Sequence, residues 1–215
     1  MPSEPRAAFL AAFPVSRETE TVLEHYESLL RSWNQGFSLV ADSTLDQIWT
    51  RHFLDSAQLL PLVPRPEEPI IDLGTGAGFP GLILAIMGLP RIHLIEHNMR
   101  KVAFLRSVIG ELGLDVTLHP RKVESVRPFI AGAVTARAFK PLSQLIGAGH
   151  AFLGPGSVAI FPKGRRAAEE LAEAETVWSM KIERFVSQTD ADSTIFRLSD
   201  IRPARNVAHA AEAPV

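Results

Sequence analysis

Cysteine is absent from these 215 residues. Its absence excludes disulfides, thiolate metal sites, iron–sulfur clusters and any cysteine nucleophile. It also fits an intracellular, cytoplasmic location. Charge of one sign is lacking too, with a formal net charge of −2. A nucleic-acid partner would have to meet basic residues gathered on one face. Long apolar runs are missing. The longest candidate, Leu82 to Leu89, closes at Gly88 and Pro90, far short of the roughly 20 residues of a membrane span. No membrane partner is expected. Ala7 to Val15 is short and apolar, but Pro14 interrupts it and Glu4 precedes it, so no signal peptide is expected. The histidines are scattered, with no two at i,i+4 on one helix beside a carboxylate, so no metal site is expected. Neither a Gly-x-Ser-x-Gly elbow nor a Walker sequence occurs.

What remains is an ordinary soluble composition, 46% hydrophobic and 21% charged, which excludes a disordered chain. The length suits one domain with a helical appendage. Residues 1–15 read as a flexible leader and 16–66 as an N-terminal helical extension. Ser16 caps a helix to about Gln35, with Val22, Tyr26, Leu29, Leu30 and Trp33 on one face. A second helix starts near Ser43 or Thr44, carries Leu45, Ile48, Trp49 and Phe53, and continues to Leu60. Pro61, Pro64, Pro66 and Pro69 form a stiff connector. Over 67–202 strands and helices alternate, which predicts an α/β domain with a mostly parallel sheet covered on both faces. Two strand-like segments, 177–186 and 193–201, close it as a C-terminal antiparallel hairpin. Residues 203–215 read as a disordered tail. A monomer is expected.

The chain is organised around Ile70-Ile71-Asp72-Leu73-Gly74-Thr75-Gly76-Ala77-Gly78-Phe79-Pro80-Gly81. This reads as a strand, a glycine-rich turn and a helix start, which suits a nucleotide-like ligand. Glycines permit close approach and positive φ, and a helix start offers free N–H groups. Two ligands fit. Gly76-x-Gly78-x-x-Gly81 satisfies the dinucleotide fingerprint. Gly74-x-Gly76-x-Gly78 after Ile-Ile-Asp-Leu satisfies the first motif of S-adenosylmethionine-dependent methyltransferases. Asp72 favours the second, because a carboxylate suits the methionine ammonium and repels a pyrophosphate. Glu96, about twenty residues further on, suits ribose hydroxyls under either reading. Val123-Glu124, after the third strand, would meet an adenine ring.

Arg137-Ala138-Phe139 and Pro162-Lys163-Gly164 follow the fourth and fifth strands. Both fall where ligands bind in open α/β sheets. Arg137 could hold a cofactor carboxylate, a phosphate or a target base, and Lys163 a phosphate. Arg51, His52 and Asp55 lie upstream in a charged helix, where Arg51 and Asp55 could equally form an i,i+4 surface pair. Exocyclic-amine methylation is disfavoured, since Arg137-Ala138-Phe139-Lys140-Pro141 replaces the usual Asn/Asp-Pro-Pro-Tyr/Phe loop. Pyrimidine C5 methylation would need the missing cysteine. Guanine N7 has a lone pair and no proton to remove, so it needs in-line proximity and no general base. O-methylation stays open. A nicotinamide oxidoreductase and a non-catalytic binder are the alternatives.

Arg51-His52-Phe53-Leu54-Asp55-Ser56, the glycine stretch ending Phe79-Pro80-Gly81, Lys101-Val102-Ala103-Phe104-Leu105, Val123-Glu124, Arg137-Ala138-Phe139 and Lys163-Gly164 together carry a resemblance. Over about residues 20–200 the chain resembles the RsmG (GidB) family of 16S rRNA (guanine-N7) methyltransferases. The resemblance implies a class I, Rossmann-like methyltransferase domain in a bacterial cytoplasmic enzyme. The implied acceptor is a guanosine in a hairpin loop near the decoding centre, in 16S rRNA or the 30S particle. The implied S-adenosylmethionine contacts are Gly74, Phe79, Val123, Glu124 and Arg137, beside Asp72, Gly76, Gly78 and Glu96. Arg51, His52, Asp55, Arg137 and Lys163 are the substrate-positioning candidates. The extension and the crevice loops would form the RNA face, with Arg165 beside these basic residues.

Overall fold

The computed structural model describes residues 3–137 and 140–204. The leader is the first correction. Glu4–Ala12 forms a helix (α1) whose Phe9 is fully buried. Phe9 meets Trp49 edge-on at 5.3 Å, and Arg6 pairs with Glu20 and Glu24. Burying one phenyl ring is enough to fasten a short helix that would not persist alone. Phe9→Ala is expected to cost about 3–5 kcal/mol in urea unfolding; a loss below about 1 kcal/mol would mean that α1 is not part of the core.

Arg17–Asn34 (α2) begins where expected. The Ser16 hydroxyl accepts the Thr19 N–H at 3.2 Å, which satisfies one free donor of the helix start. Leu23, Tyr26 and Leu30 are buried along one face. At its end, Asn34 accepts the N–H groups of Leu39 and Val40 and donates to Asp42.

The second predicted helix is broken into pieces. Asp42–Gln47 is a 3-10 turn, Trp49–Leu54 a π-helix, Asp55–Ala57 a single α turn (α3) and Leu60–Leu62 another 3-10 turn. The reason is burial on two sides. α1 covers Trp49 from outside, while His52 and Phe53 approach Phe79 from within. One α-helical stripe cannot face both, and π-turns of this kind concentrate at functional sites.

The sheet has seven strands in the order β3-β2-β1-β4-β5-β7-β6. They are β1 Ile70–Leu73, β2 Ile92–Ile95, β3 Val116–His119, β4 Ala131–Thr135, β5 Leu153–Lys163, β6 Trp178–Val186 and β7 Thr194–Pro203. β1 to β5 are parallel, and β7 runs antiparallel between β5 and β6. The connecting helices are α4 Gly81–Ile86, α5 Met99–Glu111, α6 Leu142–Gly149 and α7 Ala167–Glu175. β1 is buried on both faces, as a central parallel strand must be. Ile70 packs in the core shared with α2, and Ile71 in the core on the opposite face. Side-chain alternation therefore turns Asp72 towards the extension. Pro203, expected in the tail, ends β7, and the rest of that tail from 205 lies outside the described residues. No helix among the described residues is long and apolar enough to cross a membrane.

Candidate functional site

β1 delivers the glycine turn to the carboxyl ends of the parallel strands, where open α/β sheets bind ligands. Gly74, Gly76 and Gly78 all have positive φ, at 62°, 63° and 96°. Gly78 and Gly81 have a second reason to be glycine. A Cβ on Gly78 would stand 2.3 Å from Leu82 and 2.8 Å from the Tyr26 hydroxyl. On Gly81 it would stand 2.2 Å from Leu94 and 2.9 Å from Asp72 Oδ2. The dinucleotide-like spacing thus comes from close packing inside the protein at its last two glycines. Gly76 is different: a Cβ there would meet only the Lys101 ammonium at 3.8 Å and the Gly74 carbonyl at 3.9 Å.

Asp72, expected to meet an ammonium, sits beneath the glycine turn. Its side chain is wholly inaccessible. Oδ2 accepts the Thr75 hydroxyl at 2.5 Å and the Gly81 N–H at 2.8 Å, and Thr135 lies 3.4 Å from Oδ1. Burial pushes its carboxyl up to about 6, against the opposing hydrogen bonds from Thr75 and Gly81. Asp72 ties both ends of the turn together. Tyr26, the chain's one tyrosine, reaches from α2 to donate to the Ala77 carbonyl. From its spacing Tyr26 belongs only to the apolar face of α2. No local signal reveals a bond across 51 positions.

One cleft, of about 310 Å³, opens beside Gly74 and is lined by Ile95, Glu96, Lys122, Val123 and Glu124. Glu96 is nearly buried and organises this end of the sheet. Its Oε2 accepts the Gly76 N–H at 3.1 Å, and its Oε1 accepts from His97 and Asn98 at 2.8 and 2.7 Å. Oε2 keeps a lone pair for a further donor. Val123 presents a buried apolar wall from the 3-10 turn Val123–Ser125, and Glu124 is exposed, 3.8 Å from Lys140.

A second cleft, of about 370 Å³, lies under the β4 and β5 ends and is lined by Arg51, His52, Asp55, Arg137, Lys163 and Asp190, among others. The structure brings the five predicted residues Arg51, His52, Asp55, Arg137 and Lys163 together but commits most of their groups. Arg137 donates to the Arg51 carbonyl at 3.0 Å and to Asp55 at 3.1 Å, approaches His52 Nδ1 at 2.9 Å, and lies 4.8 Å above the Phe79 ring. Arg51 and Asp55 are therefore not a surface pair. Asp55 also accepts from Gln58 and Thr189. His52 stacks on Phe79 at 4.9 Å. Burial, then Arg137 and Arg51, lower its pKa to about 3, so the imidazole is neutral. With Arg137 donating to Nδ1, the ring proton sits on Nε2 and points to the Thr44 hydroxyl at 2.8 Å. Lys163, expected as a phosphate contact, instead pairs with Glu170 at 2.7 Å and donates to the Lys140 carbonyl at 2.9 Å. Its charge is neutralised within the fold, whereas Arg165 is largely exposed. Ala138 and Phe139 lie outside the described residues. Thr44, Thr189 and Asp190 were not foreseen. Thr44 comes from the 3-10 turn Asp42–Gln47 and the other two from the loop between β6 and β7, and nothing in their own neighbourhoods marks them.

The strand order, the glycine turn after β1 and the nucleoside-sized cleft beside it define a class I S-adenosylmethionine-dependent methyltransferase fold. Among solved structures, the glycopeptide N-methyltransferase MtfA complexed with (S)-adenosyl-L-methionine shares it with a TM-score of 0.57 at 10% identity, over 69% of this chain and 93% of that one. The chain belongs to the rRNA small subunit methyltransferase G family, whose model matches residues 19–195. The ribosomal RNA small subunit methyltransferase G of Rhodospirillum centenum is 50% identical over 202 residues, 94% of each chain. That of Rhodospirillum rubrum is 45% identical over 92% of this chain and 98% of its own.

Proposed function

We propose that this protein transfers a methyl group from S-adenosylmethionine to N7 of a guanosine in 16S rRNA, by direct in-line attack without a general base. It would act as a cytoplasmic monomer on the naked rRNA or the 30S particle. Family membership supports the rRNA methyltransferase activity. The observation that favours N7 is the chemistry of the second cleft. Among the described residues, every carboxylate or imidazole lining it already holds a partner: His52, Asp55, Glu170 and Asp190. A reaction that removes no proton suits such a site.

The first cleft fits the co-substrate. Val123 offers an apolar wall for adenine, and Glu96 an acceptor for ribose hydroxyls. Gly74 lines the cleft, and Gly76 next to it has no contact closer than 3.8 Å on its Cβ side. Asp72, Gly78 and Gly81 hold the backbone of the turn in shape. When bound, S-adenosylmethionine supplies an electrophilic methyl on a sulfonium; the N7 lone pair forms the new C–N bond as the C–S bond breaks, and the positive charge moves to the purine. Arg137, His52 and Phe79 pack against one another at the second cleft, with His52 stacked on Phe79 and Arg137 over the same ring. Arg137 acts as a positioning residue, and Arg51 and Arg165 are the exposed cations for RNA phosphates.

Incubation with labelled S-adenosylmethionine and unmodified 30S subunits or 16S rRNA tests this directly. Label is expected in 7-methylguanosine. Label in a ribose or on an exocyclic amine would overturn the N7 reading, and no label on any RNA would favour a non-catalytic binder. Glu96→Ala is expected to weaken S-adenosylmethionine binding between about tenfold and a hundredfold by calorimetry, the cost of losing hydrogen bonds to a charged group. Unchanged affinity would remove the ribose assignment.

A further inference from the structure

We propose that Lys101 is the cation that pairs with the methionine carboxylate of S-adenosylmethionine; the proposal rests on the co-substrate reading above. With adenine at Val123 and ribose at Glu96, the amino-acid end of the ligand falls towards the glycine turn. A carboxylate moved out of water there needs a cation or several donors. Two of the cations predicted for the site are spent elsewhere, Arg137 on Asp55 and Lys163 on Glu170. The Lys101 ammonium stands 3.8 Å from the Cβ position of Gly76, the one glycine of the turn with open space on that side among Gly76, Gly78 and Gly81. The ammonium has no hydrogen-bond or carboxylate partner among the described residues, although the side chain is half-buried.

Helix stability does not explain this lysine. Lys101 lies in the first turn of α5, which holds no acidic residue, and a cation at a helix N-terminus opposes the macrodipole. A local rule broken without a structural gain points to function. Asn98 caps the backbone N–H of Lys101, and Ser38 and Leu39 share with Lys101 a hollow of about 170 Å³. The motif Lys101-Val102-Ala103-Phe104-Leu105 thereby divides into a ligand contact at its head and core residues behind it, with Val102, Phe104 and Leu105 fully buried.

Calorimetry on the full chain with S-adenosylmethionine and its decarboxylated analogue provides the test. The analogue keeps the adenosyl group, the sulfonium and the ammonium. Lys101→Met is expected to weaken S-adenosylmethionine about tenfold, the scale of a charge-assisted hydrogen bond. The analogue should bind the variant equally well or slightly more tightly, because one cation is removed from beside a dication. Lys101→Arg should restore most of the loss. An equal effect on both ligands, or none on either, overturns the pairing. If the unaltered protein binds neither ligand, the co-substrate reading falls and this proposal with it.

Discussion

Gly81→Ala is expected to remove about 4 kcal/mol of stability and to abolish S-adenosylmethionine binding. The added methyl would overlap Leu94 at 2.2 Å and crowd Asp72 Oδ2 at 2.9 Å. Leu94 is fully buried in β2 between β1 and β3, so it has no free space to enter. Relief must come from the turn, which moves the Gly81 N–H away from Asp72. The carboxylate then loses a hydrogen bond in a fully buried site. Overpacking accounts for about 1–3 kcal/mol, and the impaired buried acceptor for about 1–3 kcal/mol more. Gly76→Ala is the contrast. Its φ of 63° imposes strain, about 1–2 kcal/mol, but nothing collides. Urea unfolding and calorimetry on both variants separate the cases. Wild-type stability in Gly81→Ala would show that the packing described for the turn is wrong.

Replacing Asp72 should split by chemistry. Asp72→Ala strands the Thr75 hydroxyl and the Gly81 N–H and leaves a cavity. A loss of about 3–5 kcal/mol and of ligand binding is expected. Asp72→Asn keeps an oxygen for both donors and should retain the fold and much of the affinity, since Asp72 shapes the turn from beneath. A near-total loss of affinity in a well-folded Asn variant would restore the direct ammonium contact. The pH dependence gives an independent check. The folded-state value of about 6 lies above the ordinary 3.8. An acid raised in this way favours the folded state fully below pH 4, and the advantage is lost as pH rises through 6. That difference corresponds to about 3 kcal/mol. Asp72→Asn removes that titration. The stability of the Asn variant relative to wild type should therefore climb by about 3 kcal/mol between about pH 3 and 8. A flat difference would mean that the buried carboxyl is not raised.

The alternating strands and helices from 70 to 175 were readable because each repeats a short local pattern, an apolar run closed by a turn or an apolar stripe at helical spacing. Their boundaries moved by a few residues, as at α7, which starts at Ala167 and not Arg165. The N-terminal region was less legible. Phe9 looks like any apolar residue in a short segment until Trp49 and α2 supply its pocket. The regular helix predicted over 44–60 failed because burial on two sides outweighed the single-stripe pattern.

The same distinction divides the site. Sequence by itself determined the fold class, the family resemblance and the glycine turn with Glu96 beyond it. These depend on residues near in the chain whose spacing follows from the geometry of one strand, turn and helix. The tertiary structure alone decided what each residue is free to do. It buried Asp72 under the turn it organises, gave Gly78 and Gly81 to packing, and joined Arg137 to His52 and Asp55 across more than eighty positions. It tied Lys163 to Glu170 and left the Lys101 ammonium, beside Gly76, without a hydrogen-bond or carboxylate partner among the described residues. A charged side chain's role is set by which opposite charges and donors the fold brings within about 3 Å. That is a property of the folded chain and not of its local order.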